Sequence, residues 1–215
     1  MRSEISASVI KRLPRYYRLL GELSKKGVVK ISSKELASFL RSTASQIRQD
    51  LNCFGGFGQQ GYGYNVELLR HEIGEILGVN KKQPAIIIGM GNLGRALALH
   101  IDFAERGCEL IGLFDSSSAL TGIMVGDMAI RNYAEIEKFC NEKHPKVAVL
   151  CVPKDSAKAI ADKLASLGIK GFWNFSHFDL TDFYDDVSVE NVHIGDSLLR
   201  LGYAMNKAET KTEEL

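Results

Sequence analysis

The sequence predicts an α/β protein built from a small N-terminal helical domain and a larger C-terminal domain with a parallel sheet. Three helical patterns and a glycine-rich segment fill residues 12–65, and apolar strands alternate with helices from residue 84 onward. The charge also differs: residues 1–65 carry eleven Lys and Arg against four acids, whereas the other 150 residues hold 16 bases and 22 acids. This asymmetry indicates two domains with different partners, although a solvated basic face without a partner has the same composition.

Three helices and a glycine-rich hairpin form the predicted N-terminal domain. The first helix is predicted over residues 15–26, with Pro14 in its first turn, where a missing N–H costs nothing. The second and third helices begin at capping boxes, Ser32 to Glu35 and Thr43 to Gln46. The segment GGFGQQGYGYNV, residues 55–66, then favours a β-hairpin or wing. Together these elements predict a winged helix-turn-helix.

The third helix has one apolar face and one face suited to reading DNA. It is predicted to run to about Phe54, with Ile47 and Leu51 also facing the core. The opposite face carries the side-chain types that read base edges, arginine for guanine and amides for adenine. The predicted DNA contacts are Arg12, Arg15 and Lys34 on phosphates, Ser45, Gln46, Arg48, Gln49 and Asn52 on the third helix, and Gln59, Gln60 and Tyr62 on the wing. A protein-binding winged helix is the alternative, and the excess of bases favours duplex DNA.

The C-terminal part reads as a doubly wound sheet. A linking helix over residues 66–77 ends at Gly78, and Lys81–Pro84 marks a boundary. Strands are predicted at 85–88, 108–115, 126–130, 147–153, 170–175 and 187–194, and helices at 95–107, 134–143, 156–168 and 196–207. The predicted domains are residues 1–80, a winged helix; residues 81–194, a Rossmann-type nucleotide-binding domain; and residues 195–215, a C-terminal helix and tail.

The string GMGNLG between the first strand and helix of this domain predicts a dinucleotide site. Gly89 permits a tight turn, Gly91 lets the backbone approach a pyrophosphate, and Gly94 lets helix and strand pack closely. The second strand ends at Asp115, whose carboxylate can accept from ribose hydroxyls and repels a 2′-phosphate, so NAD(H) is favoured over NADP(H). The predicted cofactor contacts are Gly89, Met90, Gly91, Asn92, Leu93, Gly94, Asp115, Val152 and Pro153. A glycine-rich turn without a ligand is the alternative.

Two later strand ends are further candidates for cofactor contacts. Cys151-Val152-Pro153 and Asn174-Phe175 each follow a predicted strand, and ligands of such sheets bind at the carboxyl ends of strands. Either segment can equally be a plain strand terminus.

Several classes of function are disfavoured. The roughly 130 residues of the nucleotide-binding domain leave no room for a substrate domain, and no catalytic acid–base pair stands out. His177 is a possible base but is better interpreted as a loop residue. The four cysteines form no metal-binding pattern, so no metal is expected, and no apolar run reaches the length of a membrane span. A cytoplasmic location is expected. An NAD-dependent dehydrogenase with a basic extension, or a sensor of a coenzyme A derivative, remain the alternatives.

Nine strings between Arg12 and about Leu201 carry a family resemblance: RLPRYYRLL, SSKELA, SQIRQDLNCFG, GQQGYGYNV, IIGMGNLGRAL, LFD, VPKDSAKAIADKL, GIKGFWNF and VSVENV. Together they resemble the Rex family of bacterial redox-sensing transcriptional repressors. The resemblance implies a homodimer that binds a palindromic duplex DNA operator when NADH is scarce and releases it when NADH rises relative to NAD⁺. It also implies a domain-swapped terminal helix inserted between the two domains of the partner subunit. An apolar stripe of Leu198, Leu201 and Met205 agrees with that expectation.

Three positions depart from the pattern of the Rex family. Gln49 stands where the family usually has a second base after the recognition-helix arginine. His100 and His193 stand where the family commonly has a tyrosine and an aspartate, which meet across the dimer in some members, so that contact cannot be carried over. We hypothesise that both histidines lie near the interface and make operator binding sensitive to pH between about 5.5 and 7.5, where unperturbed histidines titrate. Inert packing residues are the alternative, and NADH-induced release that is flat across this range would contradict the hypothesis.

Overall fold

The chain divides into two compact units, Met1–Asn80 and Lys81–Leu215. The structure, a computed structural model, describes residues 6–53 and 63–213, with side chains described as far as residue 207. The segment predicted as the wing therefore lies largely outside the described residues, and so does Phe54. No helix in the described ranges is long and apolar enough to cross a membrane.

The first unit has four helices and a small two-stranded sheet among its described residues. Its elements are α1 (Ala7–Lys25), β1 (Lys30–Ile31), α2 (Ser33–Leu40), α3 (Ala44–Asn52), β2 (Tyr64–Asn65) and α4 (Val66–Leu77). Strands β1 and β2 pair antiparallel, with Ile31 opposite Tyr64. The capping box at Ser32 is confirmed, since its hydroxyl accepts from the Glu35 N–H and the Glu35 carboxylate accepts from the Ser32 N–H. Helix α4 ends at Gly78, as predicted, in the left-handed conformation.

Helix α1 begins earlier than predicted. It starts at Ala7, so Pro14 lies inside the helix and not in its first turn. An internal proline removes one backbone hydrogen bond and costs about 3 kcal/mol. The apolar face of the helix outweighs this cost, because its buried side chains continue in register on both sides of the proline: Val9, Leu13, Tyr16, Leu20 and Leu23.

Helices α1 and α4 pack closely because each offers a glycine to a large side chain of the other. A Cβ on Gly21 would lie 3.2 Å from Nε of Arg70, and a Cβ on Gly74 would lie 3.2 Å from the Tyr17 ring. The Arg70 guanidinium lies over that ring, 4.8 Å from its centroid. Helices α2 and α3 form the second packed pair, and one apolar core joins all four helices.

The second unit is a seven-stranded sheet with helices. Its elements are β3 (Gln83–Ile88), α5 (Asn92–His100), β4 (Cys108–Asp115), β5 (Met124–Val125), β6 (Met128–Asn132), α6 (Ile136–Lys143), β7 (Val147–Leu150), α7 (Lys154–Ser166), β8 (Gly171–Asn174), β9 (Ser188–Asn191) and α8 (Ile194–Glu213). The strand order is β5-β6-β4-β3-β7-β8-β9, and every neighbouring pair except β5-β6 is parallel. The chain winds from β3 through β4 to one edge and then returns beside β3 with β7. The switch point of the sheet therefore lies between β3 and β7.

Two helices differ in length from the prediction. Helix α5 ends at His100 and does not continue to Gly107, because Ile101 is extended and the Asp102 carboxylate accepts from the Glu105 N–H to start a separate turn. Helix α8 spans 20 residues and begins at Ile194, so it is longer than the predicted 196–207. Its large apolar side chains are exposed in this chain: Ile194, Leu198, Leu199, Leu201, Tyr203 and Met205.

Candidate functional site

The turn after β3 needs a glycine at its first position. Gly89 has φ of +93°, in the left-handed region, and a Cβ there would lie 2.3 Å from the carbonyl oxygen of Cys151. Any other residue would therefore be strained and would also collide with the end of β7. This contact brings the glycine turn against the segment that follows β7, at the switch point of the sheet.

The other two glycines of GMGNLG have opposite surroundings. A Cβ on Gly94 would lie 2.0 Å from the carbonyl oxygen of Gly89, so helix α5 can approach the turn only with glycine at this position. A Cβ on Gly91 would meet no atom within 4 Å. Its φ of −69° is also open to other residues. Folding thus explains Gly94, whereas no neighbouring atom requires a glycine at position 91, and the exposed backbone there leaves open space that a bound group can occupy.

Helix α5 presents its N-terminal end at that open space. Gly91 is the residue before the helix and has no side chain to cap it, so the first-turn N–H groups, at Asn92 and Leu93, face no capping group. Helix N-termini of this kind attract phosphate through these N–H groups and the positive end of the helix dipole. Arg95 lies in the same turn, and its Nε donates to the carbonyl oxygen of Met90 at 3.0 Å. Arg95 was not predicted from the sequence, although its position directly after the glycine motif was the available signal.

Asp115 stands at the end of β4, beside the glycine turn. One carboxylate oxygen accepts from the Met90 N–H at 2.7 Å, and the other accepts from the Ser117 N–H at 2.8 Å. These two bonds fix the plane of the carboxylate. Each oxygen retains a lone pair, which is what acceptance of a pair of ribose hydroxyls requires.

The end of β7 supplies an apolar wall. Val152 reaches the turn, since its Cγ1 would lie 3.1 Å from a Cβ on Gly89, and Pro153 precedes α7. Burial raises the pKa of the Cys151 thiol to about 12, so this neighbour is uncharged. Asn174 differs: it is fully buried, and its amide bonds the Phe178 carbonyl oxygen and the Asn191 side chain. Its side chain therefore stabilises the fold. This favours the interpretation of Asn174-Phe175 as a plain strand terminus over a cofactor contact.

The two histidines that depart from the family pattern are well separated in the chain. His100 is the exposed last residue of α5. His193 is half-buried, and its ring stacks on His177 with ring centroids 6.4 Å apart. Their proposed part in pH sensing stays a prediction.

The second candidate site is the outer face of α3. Ile47 and Leu51 are buried, whereas the predicted reading residues project outward and are exposed: Ser45, Arg48, Gln49 and Asn52. Arg48 donates through Nη1 to the Ser33 hydroxyl at 3.1 Å, which ties the reading face to the start of α2. The sequence-predicted wing contacts, Gln59, Gln60 and Tyr62, lie outside the described residues.

The other basic residues that are predicted to contact DNA differ in how far their side chains are engaged within the protein. Lys34 is exposed on the first turn of α2. Arg15 is exposed as well, and its Nη2 donates to the Leu40 carbonyl oxygen at the end of α2. Arg12 is engaged inside the domain, where its Nε and Nη2 donate to the two oxygens of Asp50 at 2.6 and 2.7 Å. Its role as a phosphate contact stays a prediction, and the structure gives it a second role.

Asp50 is a buried carboxylate that was not predicted from the sequence as a functional residue. It is 1% exposed and also accepts from the Tyr16 hydroxyl at 2.5 Å and from Nε2 of Gln46 at 2.8 Å. Burial favours a higher pKa for Asp50, but hydrogen bonds from Arg12, Tyr16 and Gln46 and the charge of Arg12 outweigh it and hold the pKa below its usual 3.8. Gln46 therefore does not complete the predicted capping box, and Thr43 caps α3 alone.

A helix-turn-helix with a polar reading face and a parallel sheet with a dinucleotide-type glycine turn define a DNA-binding regulator that carries a nucleotide-binding domain. Comparison with known families agrees with both parts. Residues 4–52 match the family described as "Putative DNA-binding protein N-terminus", and residues 80–178 match the family described as "CoA binding domain".

Similar whole proteins identify the family. The redox-sensing transcriptional repressor Rex of Caldanaerobacter subterraneus subsp. tengcongensis is 50% identical, covering 95% of this chain and 91% of its own. Rex of Clostridium perfringens is 45% identical over 96% of this chain and 97% of its own. The crystal structure of RSP in complex with β-NAD⁺ and operator DNA aligns with a TM-score of 0.88, at 47% identity, over 98% of this chain and 97% of that chain. RSP in complex with β-NADH aligns with a TM-score of 0.89, at 44% identity, over 99% and 100%. The chain belongs to the Rex family of redox-sensing transcriptional repressors.

Proposed function

We propose that this protein is a repressor that binds operator DNA as a homodimer and leaves it when NADH binds, so that transcription follows the NADH/NAD⁺ ratio. The observation that carries the proposal is the uncapped N-terminal end of α5, with open space at Gly91, beside the fixed carboxylate of Asp115, in a chain that also holds an exposed helix-turn-helix face. Its relative RSP is known with NADH and with NAD⁺ and operator DNA. The protein acts in the cytoplasm, where DNA and NADH are both available.

The residues present fit a dinucleotide. The turn from Gly89 to Gly94 and the N-terminal end of α5 hold the pyrophosphate, and Asp115 accepts from the hydroxyls of the adenosine ribose. Val152 and Pro153 line the apolar side of the site. A 2′-phosphate would meet the Asp115 charge, and so would the phosphorylated ribose of a coenzyme A derivative. NADH and NAD⁺ are therefore the ligands that this site favours.

The redox signal reaches the protein as a difference in charge. The nicotinamide is neutral in NADH and cationic in NAD⁺, so an apolar nicotinamide pocket favours the reduced form, because burying an unpaired charge is costly. Only a ligand that binds one arrangement of the dimer better than the other can shift the population between them. NADH therefore favours the arrangement that does not fit the operator.

Operator recognition is assigned to α3 in each subunit. Two recognition helices of a symmetric dimer meet successive major-groove faces at multiples of about one helical turn, so the operator is a palindrome. The exposed apolar side of α8 serves as the dimer contact, because a lone chain leaves Leu198, Leu201 and Met205 largely in water. The swapped position of this helix in the partner subunit is part of the proposal.

The dehydrogenase interpretation does not hold, because the relatives that span the chain are repressors. A Rossmann-type domain with no substrate domain can hold a cofactor as a signal that is sensed without being consumed.

Fluorescence anisotropy on a labelled palindromic duplex tests the proposal. The full-length protein should bind the duplex, and NADH should release it at micromolar concentration. NAD⁺ and NADPH should require much higher concentrations. Failure to bind any duplex at low salt, where phosphate contacts are strongest, would contradict the proposal.

A further inference from the structure

The buried carboxylate of Asp50 joins the recognition helix to the first helix of its domain. Arg12 and Tyr16 come from α1, and Gln46 comes from the first turn of α3, one helical turn before Asp50. Oδ1 accepts from Nη2 of Arg12 and from Gln46, and Oδ2 accepts from Nε of Arg12 and from Tyr16. Every donor lies within 2.8 Å of its acceptor, so the carboxylate is fully bonded.

We propose that the Arg12–Asp50 pair positions the recognition helix, so that it determines how well the protein discriminates its operator from other DNA. The proposal rests on the proposed function, since it assigns a role in DNA recognition. Arg12 is then a positioning residue that acts through Asp50.

The geometry explains why this pair can set an orientation. A guanidinium fork bonded to both oxygens of a carboxylate fixes two distances and a common plane, which a single hydrogen bond cannot do. Tyr16 is 4% exposed and locked in the apolar core, so the acceptor has a second fixed reference on α1. A buried charge also holds its partners tightly, because moving away from them leaves it unpaired.

The Arg12–Asp50 pair lies where it can control the orientation of α3 relative to α1. Helix α1 packs mainly on α4, and α3 packs mainly on α2, so the network links the two packed pairs by directed bonds. Asp50 directly follows Arg48 and Gln49 on α3, and successive helical residues are about 100° apart. A small rotation about the helix axis at Asp50 therefore turns the reading side chains away from the base edges.

A positioning role of Asp50 can be distinguished from a general effect of its charge on DNA binding. Replacing Asp50 by asparagine removes a negative charge from the DNA-binding domain, which by Coulomb attraction alone strengthens binding to any duplex. If the carboxylate positions α3, the same change weakens binding to the operator. The two effects have opposite signs on the same duplex.

The experiment compares variants of the full-length protein on two duplexes, the operator bound by RSP in its crystal structure and a scrambled duplex of equal length and composition. Asp50→Asn and Arg12→Lys should each lose about tenfold or more in operator affinity, the loss expected when one base contact is misplaced, with scrambled-duplex affinity unchanged or higher. Lys11→Gln is the matched control, an exposed base on the same helix. It should weaken both duplexes alike and leave their ratio unchanged.

Tyr16→Phe keeps the ring in the core and removes one bond to Asp50, so it carries the same test if Asp50→Asn fails to fold. A lower ratio of operator to scrambled affinity is then expected, measured at a temperature where thermal unfolding shows that the variant, although destabilised by the lost bond, is still folded. Equal ratios in the folded variants and the wild type would overturn the positioning role. Failure of the wild type to prefer the operator would instead overturn the proposed function, so the two failures are distinguishable.

Discussion

At the scale of single residues, two of the three glycines of the turn are required for folding, and the third is available for binding. Gly89 and Gly94 are needed by the chain itself, because a Cβ at either position would collide with a backbone carbonyl oxygen. Gly91 has no such neighbour. The GMGNLG spacing alone predicts the turn but cannot separate these roles, since the separation depends on the distance to Cys151 and on the path of the backbone.

Gly91→Ala is predicted to separate binding from folding. The added methyl group occupies space reserved for the pyrophosphate, and overpacking costs about 1–3 kcal/mol, so NADH affinity should fall about tenfold or more. Unfolding free energy should stay within about 0.5 kcal/mol of wild type. NADH fluorescence titration and urea unfolding measure the two quantities. Gly94→Ala is the matched comparison, and it should destabilise the protein. Unchanged NADH affinity in Gly91→Ala would place the pyrophosphate elsewhere.

Asp115→Ser is predicted to lower the preference for NADH over NADPH. Loss of a hydrogen bond to a charged group costs about 1.5–3 kcal/mol, so NADH should bind about tenfold or more weakly. The affinity for NADPH should rise relative to the affinity for NADH, because the charge that repels the 2′-phosphate of NADPH is removed. Titration of both cofactors into the variant gives the ratio. A ratio equal to that of the wild type would exclude Asp115 from the ribose site.

At the scale of elements, apolar periodicity predicted most helices and strands, and the departures have local causes. In α1, Pro14 was misleading as a marker of the helix start. The apolar stripe from Val9 to Leu23 outweighs the one backbone hydrogen bond that is lost at Pro14. Asp50 was missed for a related reason. It lies three residues after Ile47 and so falls on the buried face of α3, but its partners on α1 are 34 and 38 positions away in sequence.

The acid stability of the helical unit should depend on Asp50. Its pKa is lowered in the folded protein, so its contribution is present above the unfolded value, near 3.8–3.9, and is lost as pH falls through the lower folded value. Urea unfolding followed by far-ultraviolet circular dichroism between pH 2.5 and about 6 should show this loss in the wild type. The Asp50→Asn variant should have a lower free energy of unfolding at pH 6, and its free energy of unfolding should change less with pH. Parallel pH curves for the two proteins would contradict this assignment.

Helix α8 should hold the dimer together through its apolar side. Replacing Leu198 and Leu201 by glutamate places charges where we expect contact with the partner, so the protein should become monomeric in sedimentation and lose operator affinity. Lys207→Glu, on the opposite side of the helix, should remain dimeric. A doubly substituted protein that is still a dimer would assign the contact to another surface.

At the scale of the whole molecule, the central claim is that one dimer couples two ligands through two units of the chain. The family resemblance in the sequence implied this coupling, and the similarity to Rex repressors across nearly the whole chain supports it. The single-chain fold could not have shown it, because coupling is a property of two arrangements of a dimer with different affinities. Thermodynamic linkage makes it measurable: each NADH bound to the dimer must weaken operator binding by the same factor by which the operator weakens that NADH's binding.

The most direct test is therefore a calorimetric titration of NADH into the protein alone and into the protein saturated with operator duplex. We predict that operator raises the Kd for NADH at each site by at least about fivefold, at the lower end of typical allosteric coupling, and that each NADH bound raises the Kd for operator by the same factor. Gly91→Ala should bind the operator normally and should need about tenfold more NADH, or higher, for the same loss of operator affinity. Equal NADH affinities with and without operator would contradict the claim that this protein reads NADH to control its hold on DNA.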